Sequence, residues 1–288
     1  MAFALVDQND QGHMRRFLRN LKTWGLSPRV VVTDGSNLYP SLLAELWPDA
    51  DHQLCVFHAL ADINALILDA VRRLRTRMAR RGNAGRRRRR GRKTRQAHAA
   101  AKSRGPTLKE KAKFVFKRRY LIVKRRAELT EREQAELAMM LEYLPELGVL
   151  RRFTDRVHWL FDTPKDRHQA CCRRAVLLRD PAFGQVPELV KAMELLASER
   201  FAKLTVYLKD PAGRRVRTNN HVERTNRLLR FFEKVRYKWR RRRTLVRFVV
   251  LMLNLRWGEV PPKPIGGQSD QTAAREEAKQ GPPRRKVA

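Results

Sequence analysis

Two stretches of this sequence carry many basic residues and almost no acidic ones, which limits what the chain can fold into. Residues 72–104 contain sixteen Lys or Arg and no Asp or Glu, and residues 214–247 contain fourteen against only Glu223 and Glu233. The 288 residues carry 64 basic and 29 acidic side chains, a formal net charge of +35. Such a charge destabilises a compact chain by self-repulsion unless a polyanion binds it, so we expect a nucleic-acid partner.

The two basic stretches differ in the residues that surround the charge. The first lacks large apolar residues after Met78 and includes the unbroken arginine run at residues 86–90. This composition predicts a disordered basic loop over residues 79–107 that contacts phosphates as a mobile polycation, or alternatively a solvated insertion without function. The second stretch interleaves its charge with Leu, Phe, Tyr and Trp, a pattern typical of a folded element with one buried and one basic face.

The first part of the chain alternates between strand and helix patterns. Three short apolar or β-branched runs predict strands, and three segments with apolar residues at helical spacing predict helices. The strands are expected at residues 2–6, 29–33 and 52–57, and the helices at residues 10–24, 38–46 and 58–74. This order predicts an α/β unit with adjacent parallel strands.

The next part of the chain has a different character. Residues 108–208 show helical periods throughout and no convincing strand, and Thr130 with Glu133 predicts a helix that begins with a capping box. A long helical pattern returns at residues 222–256. Residues 258–288 are rich in Pro, Gly and charge, which predicts a disordered tail.

Asp34 is the first candidate for chemistry. It ends a β-branched strand and precedes Gly35. Ligands gather at the carboxyl ends of strands in open α/β sheets, so a carboxylate at this position can face a metal ion or a substrate. The alternative is an Asp that caps the next helix.

Glu223 is the second candidate, because it is almost the only acid in the second basic stretch. It lies in the segment TNNHVERTNR at residues 218–227. A plain i,i+4 ion pair with Arg227 is one interpretation. The other is a metal-binding carboxylate among phosphate-binding groups, since phosphoryl transfer needs carboxylates that hold two Mg²⁺ ions.

Cys55 and His58 form a C-x-x-H spacing, which is half of a possible zinc site. His168 with Cys171 or Cys172 could complete it, but no second motif of standard form exists, and a buried thiol is the alternative. Three cysteines suggest no disulfide framework. The longest apolar run has six residues, too few for a membrane helix, and the sequence contains no P-loop. We expect a cytoplasmic, nucleoid-associated protein.

Taken together, these motifs resemble bacterial insertion-sequence DDE transposases whose ribonuclease-H-like core is split by a helical insertion domain. The resemblance rests on VVTDGS, WPDA, QLCVFH and the TNNHVERTNR block, at residues 31–36, 47–50, 53–58 and 218–227. It covers residues 3–257 and implies an α/β fold with a partial ribonuclease-H-like core interrupted by an all-helical insertion domain. The implied divisions are the first part of the core, the basic loop, the insertion domain, the final core helices and the tail, at residues 1–78, 79–107, 108–210, 211–257 and 258–288.

The resemblance also implies an activity and its residues. It implies DNA strand cleavage and transfer with Mg²⁺ or Mn²⁺, with Asp34 and Glu223 as catalytic acids and metal ligands and Cys55 with His58 as an associated pair. Its partners would be the DNA of the element ends and of the target, bound by a homo-oligomer. The residues expected to bind DNA phosphates are Arg224, Arg227, Arg230, Arg240, Arg241, Arg242 and Arg243.

One feature departs from the family pattern. The family core has a first Asp on its opening strand, with two more strands and a helix before the second Asp. Asp7 precedes Asp34 by only 34 − 7 = 27 residues, and both Asp7 and Asp10 follow the predicted first strand. We therefore expect an N-terminally truncated chain that is inactive as given. The alternatives are a non-catalytic, sequence-independent nucleic-acid-binding remnant or regulator and, less favoured, a structural RNA-associated protein.

Overall fold

The computed structural model describes residues 10–83, 105–162, 164–209, 217–235 and 242–257. The described residues divide between Asn226 and Arg227 into two compact units. The predicted strand at residues 2–6, Asp7, most of the predicted basic loop (residues 84–104) and the predicted tail lie outside the described residues. Nowhere in the described ranges is a helix long and apolar enough to cross a membrane.

The first part of the larger unit is the predicted alternation of helices and parallel strands. Its elements are α1 (Gln11–Thr23), β1 (Val30–Thr33), α2 (Tyr39–Leu46), β2 (Asp51–Leu54) and α3 (Val56–Asn83). The two strands are parallel, with Val30 opposite Asp51 and Thr33 opposite Leu54. The Asp10 carboxylate accepts the His13 N–H at 2.8 Å and so caps α1. The described residues are mostly helical with a small parallel sheet, which is compatible with the predicted α/β fold, while the ribonuclease-H-like core stays a prediction.

The prediction of a strand over residues 52–57 is wrong at its end. The strand stops at Leu54, and α3 begins at Val56 and continues to Asn83, beyond the predicted boundary at residue 78. A short apolar run does not distinguish a strand from the start of a buried helix. Here Val56 belongs to the helical period, because it lies on the buried face of α3 with Ala59 and Ile63.

The following segment is helical, and among its described residues no strand occurs. Its helices are α4 (Leu108–Arg118), α5 (Glu131–Tyr143), α6 (Leu147–Phe161), α7 (Arg167–Leu178), α8 (Pro181–Gly184), α9 (Pro187–Glu194) and α10 (Ser198–Leu204). Short 3₁₀ turns interrupt or follow these helices, at Arg119–Ile122, Arg126–Glu128 and Val206–Leu208. The predicted capping box is confirmed: Thr130 Oγ1 accepts the Glu133 N–H at 3.3 Å, and the Glu133 carboxylate accepts the Thr130 N–H at 2.9 Å.

Where the structure describes residues 222–256, the long helical pattern lies in two helices. These are α11 (Asn220–Val235) and α12 (Arg242–Trp257). In the smaller unit the rings of Phe232 and Phe248 pack edge to face with centroids 5.5 Å apart, so α11 and α12 contact each other there.

One hydrophobic core joins α3 to the helical segment. Ile63, Ile67 and Ala70 on α3 are completely buried, as are Phe153 on α6 and Phe183 on α8. A separate small cluster lies between α1 and α2. The helical segment therefore packs on α3 and does not form a core apart from it.

Gln53 connects the sheet to the end of the helical segment. It is completely buried, its Nε2 donates to Leu204 O at 3.0 Å, and its Oε1 accepts the Tyr207 N–H at 2.8 Å. The Gln53 side chain on β2 thereby hydrogen-bonds one backbone group at the end of α10 and one just after it. Buried backbone groups need such partners, so this amide contributes to the position of β2 against α10.

We predict that Gln53→Leu destabilises the protein by about 2–4 kcal/mol, because Leu204 O and Tyr207 N–H are left buried and unpaired. Urea unfolding followed by circular dichroism measures the change. Gln11→Leu is the control, since Gln11 bonds Ser41 at an exposed position, and its effect should stay within about 0.5 kcal/mol. Equal effects of the two substitutions would contradict the role of Gln53.

His52 makes the sheet sensitive to pH. Its Nε2 lies 2.8 Å from Thr33 Oγ1, and burial, with a smaller contribution from the positive charge of Lys203, lowers the pKa of His52. The unfolded chain then binds a proton more readily than the folded one. Stability is fully present above the usual histidine pKa of about 6.5 and decreases as the pH falls below it.

We predict that His52→Gln weakens this pH dependence, because glutamine accepts the Thr33 hydroxyl without titrating. The measurement is the urea midpoint at several pH values from 5 to 8 (about the range in which histidine titrates). The parent chain should lose more stability on acidification than the variant. Parallel curves would show that His52 does not contribute.

Candidate active site

Asp34 lies at the carboxyl end of β1, immediately after the last paired residue, Thr33. Its Oδ1 accepts the Ser36 N–H at 3.0 Å, and its side chain is exposed. Gly35, between them, has φ +91°, a conformation that side-chain-bearing residues rarely adopt. The glycine thus allows a tight turn that presents the Asp34 carboxylate at the edge of the sheet.

Two side chains surround this turn. Burial and the negative charge of Asp34 raise the pKa of Tyr39, so its hydroxyl stays protonated and able to donate near the carboxylate. A Cβ on Gly35 would lie 3.9 Å from Nη2 of Arg200, and that same nitrogen lies 3.3 Å from Oδ2 of Asp62 on α3. Neither Tyr39 nor Arg200 belongs to a sequence motif, so neither could be predicted as a neighbour of Asp34.

Glu223 lies in the first turn of α11 and contacts the C-x-x-H motif. Its Oε1 is 3.5 Å from Nε2 of His58, in the first turn of α3. Both side chains are partly exposed, at 36% for Glu223 and 28% for His58. The two motif residues therefore face each other across two helix N-terminal turns that are 165 residues apart in sequence (223 − 58).

Cys55 provides the second connection between these segments. Its buried Sγ–H donates to Asn219 Oδ1 at 3.1 Å, and the N–H of Val56 donates to Arg217 O at 3.1 Å. The N–H of Glu223 in turn donates to Asn219 O at 3.1 Å. The segment that leads into α11 is thus held on the junction between β2 and α3.

Cys55 also forms hydrogen bonds with residues close in sequence to each of the two acids, Asp34 and Glu223. The backbone N–H of Cys55 donates to Thr33 O at 2.7 Å, next to Asp34, while its thiol binds Asn219, one helical turn before Glu223. Two successive hydrogen bonds therefore link the end of β1 to the start of α11. Asp34 and Glu223, predicted from separate motifs, both lie at the carboxyl edge of the two-stranded sheet.

The Cys55–His58 pair has protein partners of its own. The thiol binds an asparagine and the imidazole Nε2 faces a carboxylate. Across the described ranges there is no group of three or more His, Cys, Asp or Glu side chains that could hold a metal ion. His168 and Cys172 contact each other on α7, at 3.5 Å. The completed zinc site considered from the sequence does not form among these residues.

The predicted DNA-binding arginines fall into three groups. Arg224 is exposed on α11 beside Glu223, within the larger unit. Arg227, Arg230 and Arg243 are exposed in the smaller unit. Arg242 begins α12, and the predictions for Arg240 and Arg241 fall outside the described residues.

We predict that Cys55→Val loosens the segment before α11, because Asn219 Oδ1 loses its donor, at a cost of about 1 kcal/mol. Hydrogen exchange measured by mass spectrometry should become faster over residues 217–223. Cys55→Ser retains a donor and should retain protection, and Cys172→Val, at an exposed cysteine, is the surface control. Unchanged exchange in Cys55→Val would contradict the anchoring role of the thiol.

A comparison with known proteins bears on this arrangement. A family model described as transposase, for DDE transposases of the ISL3 type, matches residues 2–246. The match includes β1, β2, α3 and the whole of α11. No curated protein and no solved structure matches the chain.

Proposed function

Because the chain belongs to the ISL3-type family of DDE transposases, we propose that it acts on DNA by metal-dependent strand cleavage and transfer through Asp34 and Glu223. The observation that carries this proposal is the pair of hydrogen bonds from Cys55, which ties the end of β1 to the residues that lead into Glu223. Carboxylates from distant segments at one sheet edge are suited to phosphoryl transfer with divalent metal ions.

The donor set fits magnesium, with manganese as a substitute. Asp34 and Glu223 would hold the ion, since Mg²⁺ is usually bound by one or two carboxylates together with water and substrate phosphate oxygens. When bound, a metal ion supplies activation of the attacking oxygen and stabilisation of the leaving oxygen.

The side chains around the two acids restrict how they move. The Ser36 N–H occupies one oxygen of Asp34 and leaves its other oxygen for a ligand. His58 contacts one oxygen of Glu223 and so orients that carboxylate. Neither contact involves DNA, which supports the proposal that the two acids are oriented before the substrate binds.

Arg224 supports a DNA substrate at the same place. It follows Glu223 directly and is exposed. We propose that it binds a phosphate close to the reacting one, and that the remaining predicted arginines bind phosphates of the element ends and the target. Assembly of several copies on the DNA is part of the same proposal.

We further propose that strand cleavage by this chain is slow. The described residues hold no group of three potential metal-ligating side chains. Asp10, which follows the predicted first strand, caps α1 with its carboxylate. A two-metal site with two protein carboxylates holds its second ion weakly, and the rate depends on both ions.

We predict that Glu223→Gln and Asp34→Asn each weaken Mn²⁺ binding to the protein–DNA complex by at least about 100-fold, because each removes a charged metal ligand. Electron paramagnetic resonance of Mn²⁺ in the presence of a 40-base-pair duplex (about four helical turns) measures binding. Nicking of the same duplex with Mg²⁺ or Mn²⁺ is followed in parallel, and should disappear in both variants.

The control is Asp51→Asn, at the amino end of β2, where the carboxylate binds Lys209. This variant should bind Mn²⁺ like the parent chain. Normal Mn²⁺ affinity in Glu223→Gln would overturn the site. DNA binding that persists without any acid-dependent Mn²⁺ binding would instead favour the non-catalytic nucleic-acid-binding alternative.

A further inference from the structure

We propose that the exposed face of α3 binds the backbone of double-stranded DNA about one helical turn away from the acidic site, with Arg80 as the distal contact and Arg72 between. The inference rests on the proposed function for the position of the reacting phosphate. The inference adds a second DNA contact surface in the larger unit. It also sets the distance along the duplex between that surface and the acidic site.

The face is defined by the helical period of α3. Steps of four or three residues lead from His58 through residues 62, 65, 69, 72 and 76 to Arg80, and at 100° per residue these positions stay within about 40° of His58. His58 and residue 76 are partly exposed and the others are exposed. The buried residues Ile63, Ile67 and Leu74 lie on the opposite side. One side of the helix is therefore available along its length.

The charge along this face changes from one end to the other. Near the acidic site, Asp62 is paired with Arg200 at 3.3 Å, and Asp69 is paired with Arg72 at 2.7 Å. Arg72 remains 67% exposed despite its pair. Arg80 is exposed and has no acidic partner within the described residues. The unpaired positive charge is thus concentrated in the last turns of α3.

Two neighbouring arginines of α3, Arg73 and Arg77, form ion pairs within the protein. Arg73 binds Glu188 through two hydrogen bonds of 2.6 and 2.8 Å, and Arg77 binds Glu146 at 2.9 Å. Both acids belong to or precede helices of the helical segment, so these two arginines hold α3 against it. These two ion pairs neutralise the positive charge of Arg73 and Arg77, which would otherwise also attract phosphates. They also fix the orientation of the exposed face of α3.

The length of the face matches a repeat of DNA. From His58 to Arg80 there are 22 residues, which at 1.5 Å per residue span about 33 Å. One turn of B-form DNA rises about 34 Å, so the same strand presents a phosphate to the same side at this interval. With a phosphate at Glu223 and His58, a straight duplex parallel to α3 would bring its next facing phosphate to Arg80. Duplex DNA is therefore the partner that fits both the charge and the spacing.

The experiment compares the full chain with the double variant Arg72→Gln/Arg80→Gln on duplexes of 8, 12, 16 and 24 base pairs, which span from less than one helical turn to about two. Binding is measured by fluorescence anisotropy across a series of salt concentrations. The variant should bind the 16- and 24-base-pair duplexes about tenfold more weakly, and the slope of log K against log salt should fall by about 2, for two lost phosphate contacts. The 8-base-pair duplex is too short to extend from Glu223 to Arg80. On this duplex the affinities of the parent and the variant should differ by much less.

The control is Arg167→Gln, at an exposed arginine of α7, which should change neither affinity nor slope. An unchanged salt slope in the double variant, or the same loss at every duplex length, would overturn the proposal. Arginines near a helix end also stabilise the helix, so thermal unfolding of the double variant is measured as well. A double variant that loses stability but binds DNA normally would contradict the proposed DNA-binding surface. Glu223→Gln should retain the length dependence, which separates failure of this surface from failure of the proposed active site.

Discussion

The burial of one side of α3 is the constraint on which the rest of the structure depends. Ile63, Ile67 and Ala70 are inaccessible to solvent because helices of the helical segment cover them, and removal of this apolar area from water is the main stabilising contribution available to the segment. The helix starts two residues after β2 ends. Its N-terminal turn, with His58, is therefore fixed relative to the sheet by the same packing that holds the helical segment together.

The acidic positions depend on this arrangement through polar contacts that are few but short. Cys55, between β2 and α3, donates from its backbone to Thr33 and from its thiol to Asn219. His58, one turn later, faces Glu223. A C-x-x-H spacing is read most easily as metal ligands, yet here each side chain meets a residue of the TNNHVE segment. These contacts hold the segments that carry the acids and leave both acidic side chains at least partly exposed to solvent.

The features that could be predicted from the sequence are mostly local. The Thr130–Glu133 capping box involves residues three positions apart, so its energetics are contained in the local sequence. The position at which β2 ends, in contrast, cannot be predicted from the neighbouring residues alone. Val56 continues an apolar run that suits a strand, and only its place on the buried face of α3 makes it helical. Arg200 belongs to no motif, and its place beside the Asp34 turn depends on the packing of α10, which lies about 165 residues further along the chain.

The sequence by itself determined which residues are candidates for chemistry, because an acid at a strand end and an acid within a basic stretch are unusual enough to stand out. It also determined the parallel arrangement of β1 and β2, since a helix connects them. Only the tertiary structure decided that the Cys55–His58 motif meets Asn219 and Glu223. Contacts between segments more than 160 residues apart depend on how the intervening helices pack on α3, and no local pattern encodes that packing.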